Sequence, residues 1–286
     1  QDAPSKGKKS PYATKEIDLM ASTPFGIQMP AEEASQPSFI PEPAQKTKSE
    51  PSVTKRYPSR FQVGGNYAHV GLKPHGSANF EGDLGGILGL YDYRPMDNFY
   101  GGARVTWLEG NTDGSSGRRS LLYIDVQERF GYTFASREQN VSFTLFSGLG
   151  FRHIAQHLHP KQGSSIKFRY NEFYIPVGFL TDFVASSWFT WGVNFTWMPQ
   201  VFPTVQIVPL KGTNWSLTDQ LSNFYVEMPF DFTLTKDKRF HLIINPFYEH
   251  WKDGHSTARA SNGVSLSLPG NSYDFYGANI NFAYCF

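Results

Sequence analysis

From position 60 onward, apolar and polar side chains alternate one for one in runs of ten or more residues. That is the period of an extended strand whose two faces meet different surroundings. Around Trp188 the odd positions Phe189, Trp191, Val193, Phe195 and Trp197 are apolar, and Thr190, Gly192, Asn194 and Thr196 lie between them. Further on, Phe224, Val226, Met228, Phe230, Phe232 and Leu234 interleave with Tyr225, Glu227, Asp231 and Thr233. A third run sets Leu122, Ile124, Val126, Phe130, Tyr132 and Phe134 against Asp125, Gln127, Arg129 and Thr133. Glu128 falls on the apolar side of that run, which predicts a bulge, an interfacial position or a shifted register there. Ten strands are predicted in all, over 60–70, 78–93, 99–109, 120–134, 141–156, 166–184, 188–201, 221–235, 240–252 and 273–286.

The links between these runs alternate between short and long. Short polar links are expected at 94–98, 135–140, 185–187 and 236–239, and long ones rich in Gly, Ser, Asn and Pro at 71–77, 110–119, 157–165, 202–220 and 253–272. Outer-membrane barrels have short periplasmic turns and longer extracellular loops, and an even strand count returns the chain to its starting side. The expectation is therefore all-β: a closed antiparallel up-and-down transmembrane β-barrel of about ten strands, over 58–286. Aromatics crowd the strand ends beside the short turns (Tyr91, Tyr93, Tyr132, Phe134, Phe183, Trp188, Tyr284), as an interfacial girdle requires. A soluble barrel with the aromatics turned inward would instead have an exterior of Gly, Asn and Thr with few lysines.

The last eleven residues add a resemblance. Ala278, Ile280, Phe282, Tyr284 and Phe286 are small, apolar or aromatic, while Gly277, Asn279 and Asn281 intervene. The pattern resembles the C-terminal β-signal of bacterial outer-membrane proteins, in which the final residue is usually Phe. It implies insertion by the barrel assembly machinery, a location in the bacterial outer membrane, and lipid and lipopolysaccharide as surroundings. The start at Gln1 is what a processed secretory protein would show.

The segment 1–57 is different in kind. Pro4, Pro11, Pro24, Pro30, Pro37, Pro41, Pro43 and Pro51 are spaced among Lys, Glu, Ser and Ala, and Lys6, Lys8 and Lys9 form a small basic cluster. Such a stretch buries too little apolar surface to offset its chain entropy, so a disordered periplasmic tail is expected, acting as a linker, a tether or a plug.

Composition changes the picture mainly by exclusion. Phe, Tyr and Trp supply 16% of the 286 residues, which favours aromatic-rich β structure. Charged residues are 18% and the net charge is +1, so no basic field is available for nucleic acid. The single cysteine, Cys285, excludes an internal disulfide, and no cofactor motif is present.

Alternation nominates Glu81, Asp83, Arg104, Asp125, Arg129, Arg152, Glu172, Glu227 and Asp231 as inward charges. A ten-strand cylinder is only slightly wider than the eight-strand kind whose interior is filled by side chains. These charges are expected to pair into a network that narrows or plugs the lumen, with a small porin-like channel as the other possibility. Function would then lie in exposed loops, through a surface ligand or a second copy, or in limited permeation. The segment 202–220 stands out, since Val205, Ile207, Val208, Leu210 and Trp215 carry more apolar area than a solvated loop needs. It would gate the mouth, form a contact surface, or continue its two strands.

Histidines gather toward the long-link end, where His153, His157, His159, His250 and His255 are the candidates for a metal or a general base. An outer-membrane hydrolase is the alternative reading. Omptin proteases also use ten strands, and Asp253, Gly254 and His255 resemble their Asp-x-His pair, although here it lies in the last long link and no acidic pair accompanies it. Lipid A-modifying enzymes need His and Ser together near the rim, and no diagnostic spacing supplies them. The expectation is a protein without catalytic residues.

Overall fold

The computed structural model describes residues 57–76, 78–136, 140–208, 214–256, 263, 265 and 267–286. The expected tail, up to Arg56, and Leu210 lie outside the described residues. Ten antiparallel barrel strands follow in chain order. The first five are Ser59–Pro74, Phe80–Tyr93, Asn98–Gly114, Gly117–Ala135 and Val141–Pro160. The sixth comprises Ile166–Tyr174 and Val177–Val184, and the seventh Phe189–Trp191, Asn194–Trp197 and Gln200–Val208. Asn214–Ser216, Phe224–Glu227 and Phe230–Thr233 make the eighth, Phe240–Asp253 the ninth and Asn271–Cys285 the tenth.

Each strand pairs with its neighbours in sequence, and the tenth returns to the first, from Arg60 opposite Cys285 to Pro74 opposite Asn271. The barrel is closed. Three of the breaks inside strands fall at Pro176, Pro199 and Pro229, where proline cannot donate to the ladder. The register shift between Val201 and Thr204 leaves Phe202 at positive φ and 81% exposed, an aromatic pushed off the outer wall.

Two expected long links are shorter than the sequence suggests. Between the third and fourth strands Gly114 pairs directly with Gly117, so only Ser115 and Ser116 turn the chain. The segment 202–220 continues its two strands as a hairpin, with Thr204 opposite Ser216 and Gln206 opposite Asn214. It also turns Val205, Ile207 and Trp215 into the buried interior, where they join one apolar cluster.

Along the outer wall, apolar side chains form a belt that ends sharply toward the long-loop end. The first strand presents Phe61, Val63 and Tyr67 and then Lys73, and the tenth presents Phe282, Ile280 and Tyr276 and then Asp274. On the fourth strand the outward column from Phe134 to Leu122 gives way to Ser120. The interior runs the opposite way. It is polar behind the belt and apolar above it, where Val70, Leu72, Phe80, Leu84, Leu121, Ile154 and Val205 form one buried cluster.

This inversion corrects one sequence expectation. Glu81 and Asp83 share the outward parity of Ile87 and Tyr91, and they stand on the outer wall above the belt, not in the lumen. Beyond the hydrocarbon the outer wall meets water, so charges belong outside there and apolar groups inside.

Glu128 keeps its outward place without a bulge. Both ladders run through it unbroken, opposite Ala103 on one side and Leu149 on the other, midway along the column from Phe134 to Leu122. A carboxyl group at this depth costs stability. Glu128→Leu is expected to stabilise the barrel in lipid vesicles by about 1 kcal/mol in urea unfolding, since lipid-facing Asp and Glu cost less than the ~2–4 kcal/mol of Arg or Lys. Unchanged or reduced stability would mean that the carboxyl group has a partner in the membrane.

Candidate functional site

Seven of the nine nominated charges turn inward, and the strands stack them in layers. Nearest the short turns, Arg60 reaches Asp231 at 3.2 Å and Asp92 at 3.5 Å, and Arg94 reaches Asp182 at 3.0 Å. His241 adds a contact of 2.7 Å to Asp231. One layer further, Arg104 lies 3.8 Å from Glu227 and donates to the Tyr225 hydroxyl at 2.9 Å, while Asn194 and Asn245 donate to the same glutamate. Arg129 donates to Gln127 and covers the ring of Phe146. Between these two layers is a cavity of about 50 Å³, lined by Arg60, Arg94, Arg104 and Arg129 and by Asp92, Asp182, Glu227 and Asp231. Four cations and four carboxylates balance there, and the space suits a few ordered waters.

The next layer crosses the lumen. Arg152, 1% exposed at its side chain, bridges Asp125 at 3.1 Å and Glu249 at 2.5 Å. Its guanidinium is 3.6 Å from the centre of the Trp251 ring, and the rings of Tyr123 and Tyr174 pack on it as well. Tyr174 donates to Asp125 at 2.7 Å and Tyr123 donates to Glu249. Planar, permanently charged arginine suits this role, because it can serve two carboxylates and stack on aromatics at once.

Above Arg152, Glu172 lies against Asp253 and Trp251, and Asp253 accepts from Tyr273 at 2.8 Å. Asn271 donates to Tyr170, and Gln156 links Arg119 to Tyr273. The apolar cluster of Leu72, Phe80, Val205 and Trp215 completes the stack toward the long loops. Sequence reasoning missed Glu249, Asp92, Asp182 and Asp253 as inward groups. The parity of the ninth strand, which sets Asn245, Glu249, Trp251 and Asp253 on one face, carries the signal for two of them.

The candidate histidines do not converge. His153 faces outward and contacts Asn171 at 2.8 Å, and His157 and His159 stack at 4.0 Å on the same strand. His250 pairs with Asp274 four strands away around the barrel. Among the described residues, no group of three or more His, Cys, Asp or Glu side chains is placed to hold a metal. Ala278, Ile280, Phe282, Tyr284 and Phe286 all lie on the outward face of the tenth strand, and Cys285 points inward.

No family model and no curated protein sequence matches the chain. Solved structures do. The outer membrane protease OmpT from Escherichia coli superposes with a TM-score of 0.59 at 11% identity, over 82% of this chain and 98% of that one. The translocator domain of the autotransporter NalP from Neisseria meningitidis matches at TM-score 0.43 and 11% identity, over 79% and 88%. The Pseudomonas putida toluene transporter TodX matches at 0.36 and 10%, over 80% and 89%. At such identities the likeness concerns the fold. The closed ten-strand cylinder with its apolar belt, together with the likeness in fold to OmpT, makes this chain an outer-membrane β-barrel protein.

The Arg152 layer carries its own test. Arg152→Met leaves Asp125 and Glu249 buried without their cation, and a loss of about 3–5 kcal/mol is expected in urea unfolding of the vesicle-embedded protein. Arg118→Met, at an exposed pair with Asp113, is expected to stay within about 1 kcal/mol of the parent.

Proposed function

We infer that the protein is a non-conducting outer-membrane barrel that works at its long-loop end, turned away from the cell, with the short turns in the periplasm. The observation that carries this reading is the filled interior. Arg152 with its two carboxylates and Trp251 spans the lumen, and the apolar cluster around Trp215 lies above it. A permeation path would need these buried side chains to separate, at the cost of exposing paired charges.

The hydrolase reading is weakened by the orientation of its best candidates. Asp253 turns into the barrel, where Tyr273 and Asn271 hold it. The Nδ1 of His255 faces the Thr218 hydroxyl at 3.3 Å. A carboxylate that orients a catalytic base must contact that base. This Asp-x-His segment therefore reads as part of the rim.

Single-channel recording in planar bilayers tests the proposal. The refolded full chain, and a form lacking residues 1–56, are both expected to be electrically silent, with heat-modifiable gel mobility confirming the folded barrel. Stable unitary steps in either form would replace this reading with a channel, and larger steps in the shortened form would identify the tail as its plug.

A further inference from the structure

Three adjacent strands, the ninth, the tenth and the first, carry a graded set of side chains where the outer apolar belt ends. The top of the belt is aromatic, with Tyr248 and Tyr276 directly paired and their rings 5.0 Å apart. One step higher, Asp274 is held by three groups. Lys73 Nζ donates to it at 2.9 Å, Tyr248 Oη donates at 2.9 Å, and His250 Nδ1 lies at 2.8 Å. Another step up, Lys73 and Lys252 both stand opposite Ser272, one on each side. Two strand spacings separate the lysine backbones, about 9.6 Å.

The two cations are available. Lys252 has no carboxylate partner among the described residues, and the Lys73 side chain is 57% exposed despite its bond to Asp274. Asp274 shares Lys73 with Tyr248 and His250 and, among the described residues, makes no bond to Lys252, so Lys252 is the freer of the two cations. Nearby acids on the second strand are Asp83, engaged by His69 and Tyr67, and Glu81, opposite Gly71. At the rim beside this row opens a cleft of about 660 Å³, also lined by His75, His255 and Gln220.

We propose that this row is a binding site for a phosphorylated glycolipid of the surrounding leaflet. Its phosphate sits between Lys73 and Lys252 and accepts from Ser272. Its sugar occupies the cleft beside His75 and His255. Its acyl chains run down the outer wall over Tyr276, Ala278 and Ile280. The lipid, as opposed to a soluble phosphate, is indicated by nearness to the belt: one step below the cationic row lie Asp274 and His250, and one step below those the apolar column begins at Tyr248 and Tyr276 on the same strands. The site does not depend on whether the lumen conducts.

Binding to the refolded full chain in detergent micelles tests this with three probes: bis-phosphorylated lipid A, the same lipid without phosphates, and inorganic phosphate. The phosphorylated lipid is expected to bind about fivefold more weakly to Lys252→Ala, and likewise to Lys73→Ala, from roughly 1 kcal/mol per lysine near a charged leaflet. Lys167→Ala, an exposed lysine elsewhere on the wall, is expected to match the parent. Because Lys252 makes no described ion pair, its removal should leave the barrel folded even if loss of Lys73 disturbs Asp274. Equal binding by Lys252→Ala and the parent would overturn the site, as would equal binding of the dephosphorylated lipid. Inorganic phosphate that binds as tightly and displaces the lipid would make it a site for a soluble anion.

Discussion

In hydrocarbon no water is available to an unpaired amide, so a sheet can cross a membrane only if its edges meet. The ladder between the first and tenth strands is therefore the interaction on which the rest of this structure depends. It runs without a break from Arg60 and Cys285 to Pro74 and Asn271. Closure at ten strands also sets the bore, and the bore decides that inward side chains from opposite walls can touch. Arg152 on the fifth strand meets Glu249 on the ninth only because the cylinder is this narrow.

Once the wall is closed, the two solvents around it dictate polarity. Behind the belt the outside is lipid, and charges turn inward, where they must be paired. Above the belt the outside is water, and the interior packs like that of a soluble barrel around Leu72, Phe80 and Trp215. One strand thus obeys one period and two opposite sign conventions. Trp107 and Asp113 share a face of the third strand, as do Ile87 and Glu81 of the second. The row of Lys73, Ser272 and Lys252 lies just beyond the crossover, where a charged outer wall first becomes affordable.

Filling the interior has mechanical consequences. Five arginines from four strands (Arg60, Arg104, Arg119, Arg129 and Arg152) reach into the barrel, and Arg60, Arg104 and Arg152 tie strands far apart in sequence through Asp231, Tyr225 and Glu249. Such a network stiffens the cylinder only when every member is satisfied, because an orphaned charge in a dry interior is far more costly than an apolar group. In the Arg152 layer both carboxylates meet the guanidinium, and the rings of Tyr123, Tyr174 and Trp251 pack on it.

The one-for-one alternation and the spacing of turn residues were enough to predict ten strands, their order and the inward parity of Arg104, Asp125, Arg129, Arg152, Glu172, Glu227 and Asp231. A strand's two faces are written in its own residues, so that much is local information. Only the tertiary structure decided where along each strand the membrane ends, and hence that Glu81 and Asp83, on the outward face with Ile87, stand beyond the lipid. It also decided which charges meet: Arg152 with Glu249, Arg60 with Asp231, and Lys73 with Asp274 are separated by long stretches of chain. Partner choice depends on how the strands stagger as the barrel closes, and that stagger is a property of the whole wall, which no single run of residues records.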